Sequence, residues 1–270
     1  MGGERLTIVF MPESAYGPTN NCIGIGKVLE QRGHRVVFAA EASWRGRLEP
    51  LGFEEDLVDL APPAEGDQDA GQFWIDFVSE TAPEFRKPTI EQLETFIEPV
   101  WSSLIDGAIY CHGQLEDILD RARPDVIVED NVNSFPALLT HGAPWVRIMS
   151  CNPLELKDPD LPPPFSGYPT RDRRSWDAFR AEVERTSRAT WERFNAFVVD
   201  SGAPPLPDLE FIAVFTDGAK GGNVKGAKFR FVNTHLEAYS EANGLAQAKE
   251  LTARGGPARY RGQTFLVGDM

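Results

Sequence analysis

The chain has 270 residues, 41% hydrophobic and 25% charged, with a formal net charge of −14 at pH 7. This composition fits a globular protein with a full core, and the acid excess argues against nucleic acid as a partner of residues 1–211, because phosphate binding needs a basic face. No apolar run approaches the roughly 18 residues of a membrane span, Leu6–Met11 is too short for a signal-peptide core, and three scattered cysteines (Cys22, Cys111, Cys151) fit a reducing compartment; the expectation is a cytoplasmic protein without a membrane partner.

Leu6-Thr7-Ile8-Val9-Phe10-Met11 reads as a strand buried on both faces. A loop carrying Pro12, Gly17, Pro18, Asn20 and Asn21 follows, then a helix from about Cys22 to Arg32 that Gly33 ends in the left-handed region. Val36–Ala40 is the next buried strand, so strand, helix and strand form a parallel crossover. Trp44–Leu51 reads as a short helix and Leu57–Leu60 as a short strand. Two helical stretches follow, about 71–79 and 89–123, with Gly107 and Gly113 as candidate break points in the second.

Pro124-Asp125-Val126-Ile127-Val128-Glu129-Asp130 is a strand that ends in two acids. Phe135–Thr140 is helical, Trp145–Met149 is a strand, and the proline-rich stretch 152–170 is loop. Trp176–Val199 is an amphipathic helix with Trp176, Phe179, Val183, Phe194 and Phe197 on one face. Alternating buried strands and helices predict an α/β fold, a doubly wound Rossmann-like parallel sheet. Ligands of such sheets sit beyond the carboxyl ends of the strands. The positions to inspect are therefore Pro12–Asn21, Glu129–Asn131 and Ser150–Asn152.

Gly202-Ala203-Pro204-Pro205-Leu206-Pro207 cannot continue a helix. Composition changes across this point. Residues 1–211 hold 19 Lys and Arg against 36 Asp and Glu, and residues 212–270 hold 8 against 5. All 6 Trp precede the seam. This marks a boundary between a domain at 1–211 and a small, incomplete α+β tail at 212–270. In the tail, Phe211–Phe215 and Phe229–Asn233 read as strands around a glycine-rich turn, Glu241–Arg254 as a helix and Thr264–Val267 as a last strand.

The first segment resembles the N-terminal, acceptor-binding domain of two-domain, GT-B type glycosyltransferases of the macrolide branch. The resemblance rests on the opening strand, on Ile25-Gly26-Lys27-Val28-Leu29-Glu30-Gln31-Arg32-Gly33-His34-Arg35-Val36, on Arg123–Asp130, and on Gly142-Ala143-Pro144-Trp145-Val146-Arg147. It implies sugar transfer from a nucleotide sugar to a small, largely apolar acceptor, with no other cofactor. Such transfer needs a base for the acceptor hydroxyl, and His backed by a carboxylate suits that role. Asp130 stands where the family has its carboxylate. Pro18 stands where the family has its His, so either an acid, Glu13 or Asp130, acts as the base directly or the domain has lost this mechanism. The plain alternative for both acids is a solvated carboxylate at a strand end.

The acceptor pocket implied by the resemblance draws on Tyr16, Asn20, Phe73, Trp74, Phe77, Trp101 and Asn131; core packing is the alternative for its aromatics. The family's donor-gripping stretch has no counterpart after Val199. Gly24-Ile25-Gly26-Lys27 is no substitute, because these glycines lie within the helix and read as packing positions. Cys22, near a helix start, is a candidate for a depressed thiol pKa, with plain packing as the alternative.

The tail resembles the endonuclease/exonuclease/phosphatase superfamily, on Phe231-Val232-Asn233-Thr234-His235-Leu236-Glu237, Gln247–Leu251 and Leu266-Val267-Gly268-Asp269. This resemblance implies a magnesium-dependent phosphodiesterase with Asn233, His235 and Asp269 at its centre. The remaining metal ligands of that family are missing, so no metal site is expected. Three readings follow: a glycosyltransferase-like protein without its donor domain, a non-catalytic small-molecule binding module, and a metal phosphodiesterase acting through the tail.

Overall fold

A computed structural model of the chain describes residues 5–62, 72–148 and 160–206, with only the backbone at 72–74, together with the backbone of three strands between 223 and 267. Five strands form one parallel sheet: β1 (Thr7–Pro12), β2 (Arg35–Phe38), β3 (Glu54–Glu55), β4 (Val126–Asp130) and β5 (Trp145–Ile148), in the order β3-β2-β1-β4-β5. Every pairing in it is parallel. This is the expected doubly wound α/β sheet. β1 is central, and its residues from Val9 to Met11 are buried.

Strand alternation divides the core in two. Ile8, Phe10, Val36, Phe38 and Val128 face helix α1 (Tyr16–Gln31), with Trp44, Leu48 and Phe53 completing that layer. The rings of Phe10 and Phe38 stack at 5.2 Å. Val9, Met11, Val37 and Ile127 face the opposite layer, which includes α4 (Glu98–Ala122), α5 (Pro136–Thr140) and α6 (Trp176–Asp200). Full burial of each large apolar side chain contributes about 1.5–3 kcal/mol, so both layers are needed to offset chain entropy.

α1 begins six residues before the expected Cys22. Gly17, Pro18, Asn20 and Asn21 look like loop formers, yet they occupy its first two turns. Proline is tolerated there because the first turn's N–H groups have no intrahelical partner. Gly33, at φ 91°, follows the helix as expected. Gly26 lies against the sheet: a Cβ there would meet Phe53 and Val36 at 3.3 Å, whereas Gly24 faces open space. The packing role thus belongs to Gly26.

The short strand expected at Leu57–Leu60 is replaced by β3 upstream and a single bridge from Val58 to Glu41. The helix expected at Trp44–Leu51 is two short 3₁₀ turns, Ala42–Trp44 and Glu49–Leu51. α2 (Gln72–Thr81) and α3 (Thr89–Gln92) lead through one π-helical turn, Leu93–Ile97, into α4. α4 runs unbroken through both glycines. At Gly107 a Cβ would lie 3.1 Å from the Leu60 carbonyl, so that glycine admits a close backbone approach rather than a break. Among the described residues, no helix is long and apolar enough to cross a membrane.

In the tail, β6 (Asn223–Val224) pairs antiparallel with β7 (Ala227–Asn233), and β7 pairs parallel with β8 (Gln263–Val267). Within the β7–β8 pair, Phe231 stands opposite Phe265. The strand expected at Phe211–Phe215 and the helix expected at Glu241–Arg254 lie outside the described residues.

Candidate functional site

β1 and β4 are neighbours, with Pro12 opposite Asp130. From β1 the chain turns through α1 to β2 on one side; from β4 it turns through α5 to β5 on the other. The carboxyl ends of these two strands are therefore the sheet's topological switch point, where doubly wound folds take their ligands.

Here Glu13 donates its backbone N–H to the Asp130 carbonyl at 2.8 Å. The Glu13 carbonyl accepts from Thr19 Oγ1 at 2.7 Å, and Thr19 is fully buried. Asn21 Nδ2 donates to Asp130 Oδ2 at 2.9 Å. Asp130 itself is only 2% exposed, so it is not a solvated acid at a strand end. The early start of α1 brings Thr19 and Asn21 into this group. Cys22, one residue further on, is buried; burial first, and the Asp130 charge second, push its thiol well above the ordinary range. A depressed, reactive Cys22 is thereby contradicted: α1 begins six residues earlier, so Cys22 lies inside the helix rather than at its start, fully desolvated beside an acid.

Strand alternation sends Glu129 to the other face of β4, on the Ile127 side. Its carboxylate accepts from Trp145 Nε1 at 2.8 Å and from Arg147 Nη1 at 3.4 Å. Both partners are on β5, and Arg147 stands directly opposite Glu129. Burial pushes Glu129 up to about 7, although Arg147 and Trp145 pull the other way. Arg147 also donates to Ser134 Oγ at 3.3 Å and to the Asn131 carbonyl at 2.6 Å. Glu129, Asp130, Asn131, Asn133 and Ser134 are all buried, a dense polar group for a protein interior.

The remaining candidates fall in other places. Asn131 is 5% exposed, and its Oδ1 accepts from the Val132 N–H at 2.9 Å. Tyr16 is half-exposed, edge-on to Trp44 at 5.4 Å; Trp44 in turn donates to the Ser14 carbonyl. Asn20 is exposed on α1. Phe77 lies 5.7 Å from the Phe96 ring, which Phe85 meets at 4.8 Å. Trp101 is 6% exposed within the core layer of α4. Phe73 and Trp74 belong to α2, but their side chains lie outside the described residues, as do Ser150, Cys151 and Asn152. The structure thus joins Glu13, Asp130 and Asn131, places Phe77 in a separate aromatic group, and puts Trp101 in the core.

Sequence reasoning reached Thr19 and Asn21 only as part of the Pro12–Asn21 stretch, and missed Arg147 as a member of the group. A signal for Arg147 was available. Glu129 sits in an otherwise apolar parallel strand, and a buried acid needs a cation or several donors. The basic residue of the next strand was the one to pair with it.

His34 Nδ1 accepts from the Leu6 N–H at 3.2 Å, at the amino edge of the sheet, and His112 meets Phe197 at 5.2 Å. Among the described residues, no group of three His, Cys, Asp or Glu could hold a metal ion. Asn233 ends β7 opposite Val267, while His235 and Asp269 lie outside the described residues.

No family model matches the chain, and no curated protein matches it. Solved structures do. The glycotransferase of kitacinnamycin aligns over 78% of this chain and 44% of its own, at 19% identity and a TM-score of 0.44. The glycosyltransferase SnogD from Streptomyces nogalater aligns over 97% and 66%, at 15% identity and a TM-score of 0.34. A Streptomyces glycosyltransferase complexed with thymidine diphosphate aligns over 91% and 64%, at 11% identity and a TM-score of 0.42. The chain thus spans less than two thirds of the length of each. At such identities and TM-scores, the likeness carries neither substrate nor mechanism to this chain.

Proposed function

We propose that residues 1–211 are the acceptor-binding half of a glycosyltransferase-type protein, and that the carboxyl edge of β1 and β4 takes a small, largely apolar, hydroxyl-bearing acceptor. The observation that carries this reading is a buried carboxylate, Asp130, at the switch point of a doubly wound sheet. The sequence resemblance supports it. Asp130 accepts the acceptor's O–H as a hydrogen bond, with Glu13 beside it on the neighbouring strand end. In a transfer reaction, one of these acids takes that proton while the oxygen attacks the anomeric carbon and the nucleoside diphosphate leaves.

A second reading, binding without transfer, is favoured by Pro18. It occupies the third position of α1, where the family has a general base, and proline has no titratable group. Loss of a general base lowers rates by on the order of 100- to 10,000-fold. Titration calorimetry with umbelliferone, a flat apolar phenol, tests the shared part of both readings. Binding that Asp130→Asn weakens about tenfold is expected; equal binding by both proteins would remove Asp130 from the site. Turnover with a nucleotide sugar would exclude binding without transfer, and its absence would favour that reading.

A further inference from the structure

The Arg147 side chain is 4% exposed and joins three pieces of chain. It rises from β5, meets Glu129 across the β4–β5 pair, and reaches past the end of β4 to the Asn131 carbonyl and Ser134 Oγ. The shortest of these contacts, 2.6 Å, is to the Asn131 carbonyl rather than to the acid. That carbonyl belongs to the first residue after β4, where the backbone leaves the ladder and loses its strand partners. A guanidinium has a rigid planar fork, so its contacts at Asn131 and Ser134 fix direction as well as distance. Asn131 folds its own Oδ1 back onto the Val132 N–H, which tightens the same turn. The turn starts at Asp130, whose side chain points to the α1 face while Arg147 holds the backbone behind it.

We infer that Arg147 is a positioning residue: its fork onto Asn131 and Ser134 holds the segment after β4 in the path that presents Asp130 and Asn131 at the carboxyl edge. Glu129 then serves mainly to orient the guanidinium. The clamp stands on the contacts alone; its consequence for a ligand rests on the acceptor reading above.

Two variants of the full chain separate the clamp from the ion pair. Glu129→Gln removes the negative charge, keeps an acceptor for Trp145, and leaves the fork onto the turn. Glu129→Gln with Arg147→Met removes the fork as well. Because it replaces the whole buried pair rather than stranding one charge, it should still fold. Hydrogen exchange of the Val132–Phe135 amides is the readout. The single variant should exchange within a few-fold of wild type, and the double variant at least about tenfold faster in this segment only, since local opening sets exchange there. No acceleration in the double variant would overturn the clamp. Acceleration spread evenly over β4, α1 and α4 would also overturn it, by making Arg147 a general core residue. Umbelliferone binding supplies the second arm: loss of binding in the double variant with retention in Glu129→Gln extends the clamp to the site. If wild type binds no umbelliferone, the acceptor reading loses its support, and exchange still decides the clamp.

Discussion

At the amino edge of the parallel sheet, polar contacts fasten crossing chains at the surface. Asp125 Oδ2 accepts from the Thr7 N–H at 2.8 Å, and Arg35 reaches Glu54 and the Ala122 carbonyl. These side chains stay wet: those of Arg35 and Glu54 are 32% and 53% exposed. At the carboxyl edge, an acid and a base of the same kinds, Glu129 and Arg147, are 0% and 4% exposed. The same pairing chemistry therefore meets opposite solvent conditions at the two ends of one sheet. A surface ion pair can be lost cheaply because water replaces each partner. A buried pair is costlier to break from one side: removing Arg147 strands the Glu129 carboxylate, whereas Arg147 keeps the Asn131 carbonyl and Ser134 when Glu129 is neutralised, and an apolar replacement of both would often be as stable. Stability alone thus gives no reason to gather five buried polar residues at the carboxyl edge, whereas the acceptor binding proposed above would.

The sharpest break of this comparison is Arg147→Ala. It leaves Glu129 without its cation and frees the Asn131 carbonyl and Ser134. The expected loss is about 3–5 kcal/mol, read as a lowered midpoint in urea. A loss below about 1 kcal/mol would mean that water reaches this site and that the two edges do not differ.

Next in size is the pH dependence of Glu129. Its folded value, about 7, lies above the ordinary 4.5. Between those values the folded chain holds a proton that the unfolded chain has released. Stability should therefore fall as pH rises through that window, by about 3 kcal/mol in total, and level off above it. Glu129→Gln should lack this slope, so its stability relative to wild type improves from about pH 5 to about pH 8. Parallel profiles for the two proteins would show that Arg147 keeps the acid ionised throughout.

The sheet was legible because its strands are short apolar runs: Thr7–Pro12, Arg35–Phe38, Val126–Asp130 and Trp145–Ile148 fall within a residue or two of the expected spans. The start of α1 was not. Gly17, Pro18, Asn20 and Asn21 carry loop propensities, which position within the first turns overrides. Asp130 and Glu13 were visible as acids at strand ends. The pairing of Asn21 with Asp130 was not visible, because the two lie more than a hundred residues apart, and Arg147 was not, because its place depends on β4–β5 register. Gly26 was legible as a packing residue, but only the sheet behind it distinguishes it from Gly24.

Gly26→Ala tests the layer beneath the site rather than its polar group. The added methyl would meet two side chains at 3.3 Å, tighter than ordinary contact. Overpacking of this kind costs about 1–3 kcal/mol, against roughly 1 kcal/mol of gained helix propensity. A net loss of about 1 kcal/mol is expected in urea unfolding; a net gain would show that Phe53 and Val36 move aside without strain.

Arg35→Ala should have the smallest effect and closes the comparison at the other edge. Arg35 forms a two-point contact with Glu54, at 2.9 and 2.6 Å, and that contact raises its own affinity for a proton while lowering that of Glu54. It also donates to the Ala122 carbonyl at 2.9 Å, one of the terminal carbonyls of α4, which lacks an intrahelical donor. Glu54 is half-exposed, so screening and side-chain entropy consume most of the Coulomb attraction. The total loss should be about 1 kcal/mol or less. It should shrink further in about 1 M salt, where the screening length falls to roughly 3 Å. The buried Arg147 pair lies beyond the reach of mobile ions, so the loss on Arg147→Ala should hardly change under the same conditions. A salt-insensitive loss of several kcal/mol for Arg35→Ala would place the amino edge in the same class as the carboxyl edge, and buried polarity would no longer set the proposed acceptor site apart.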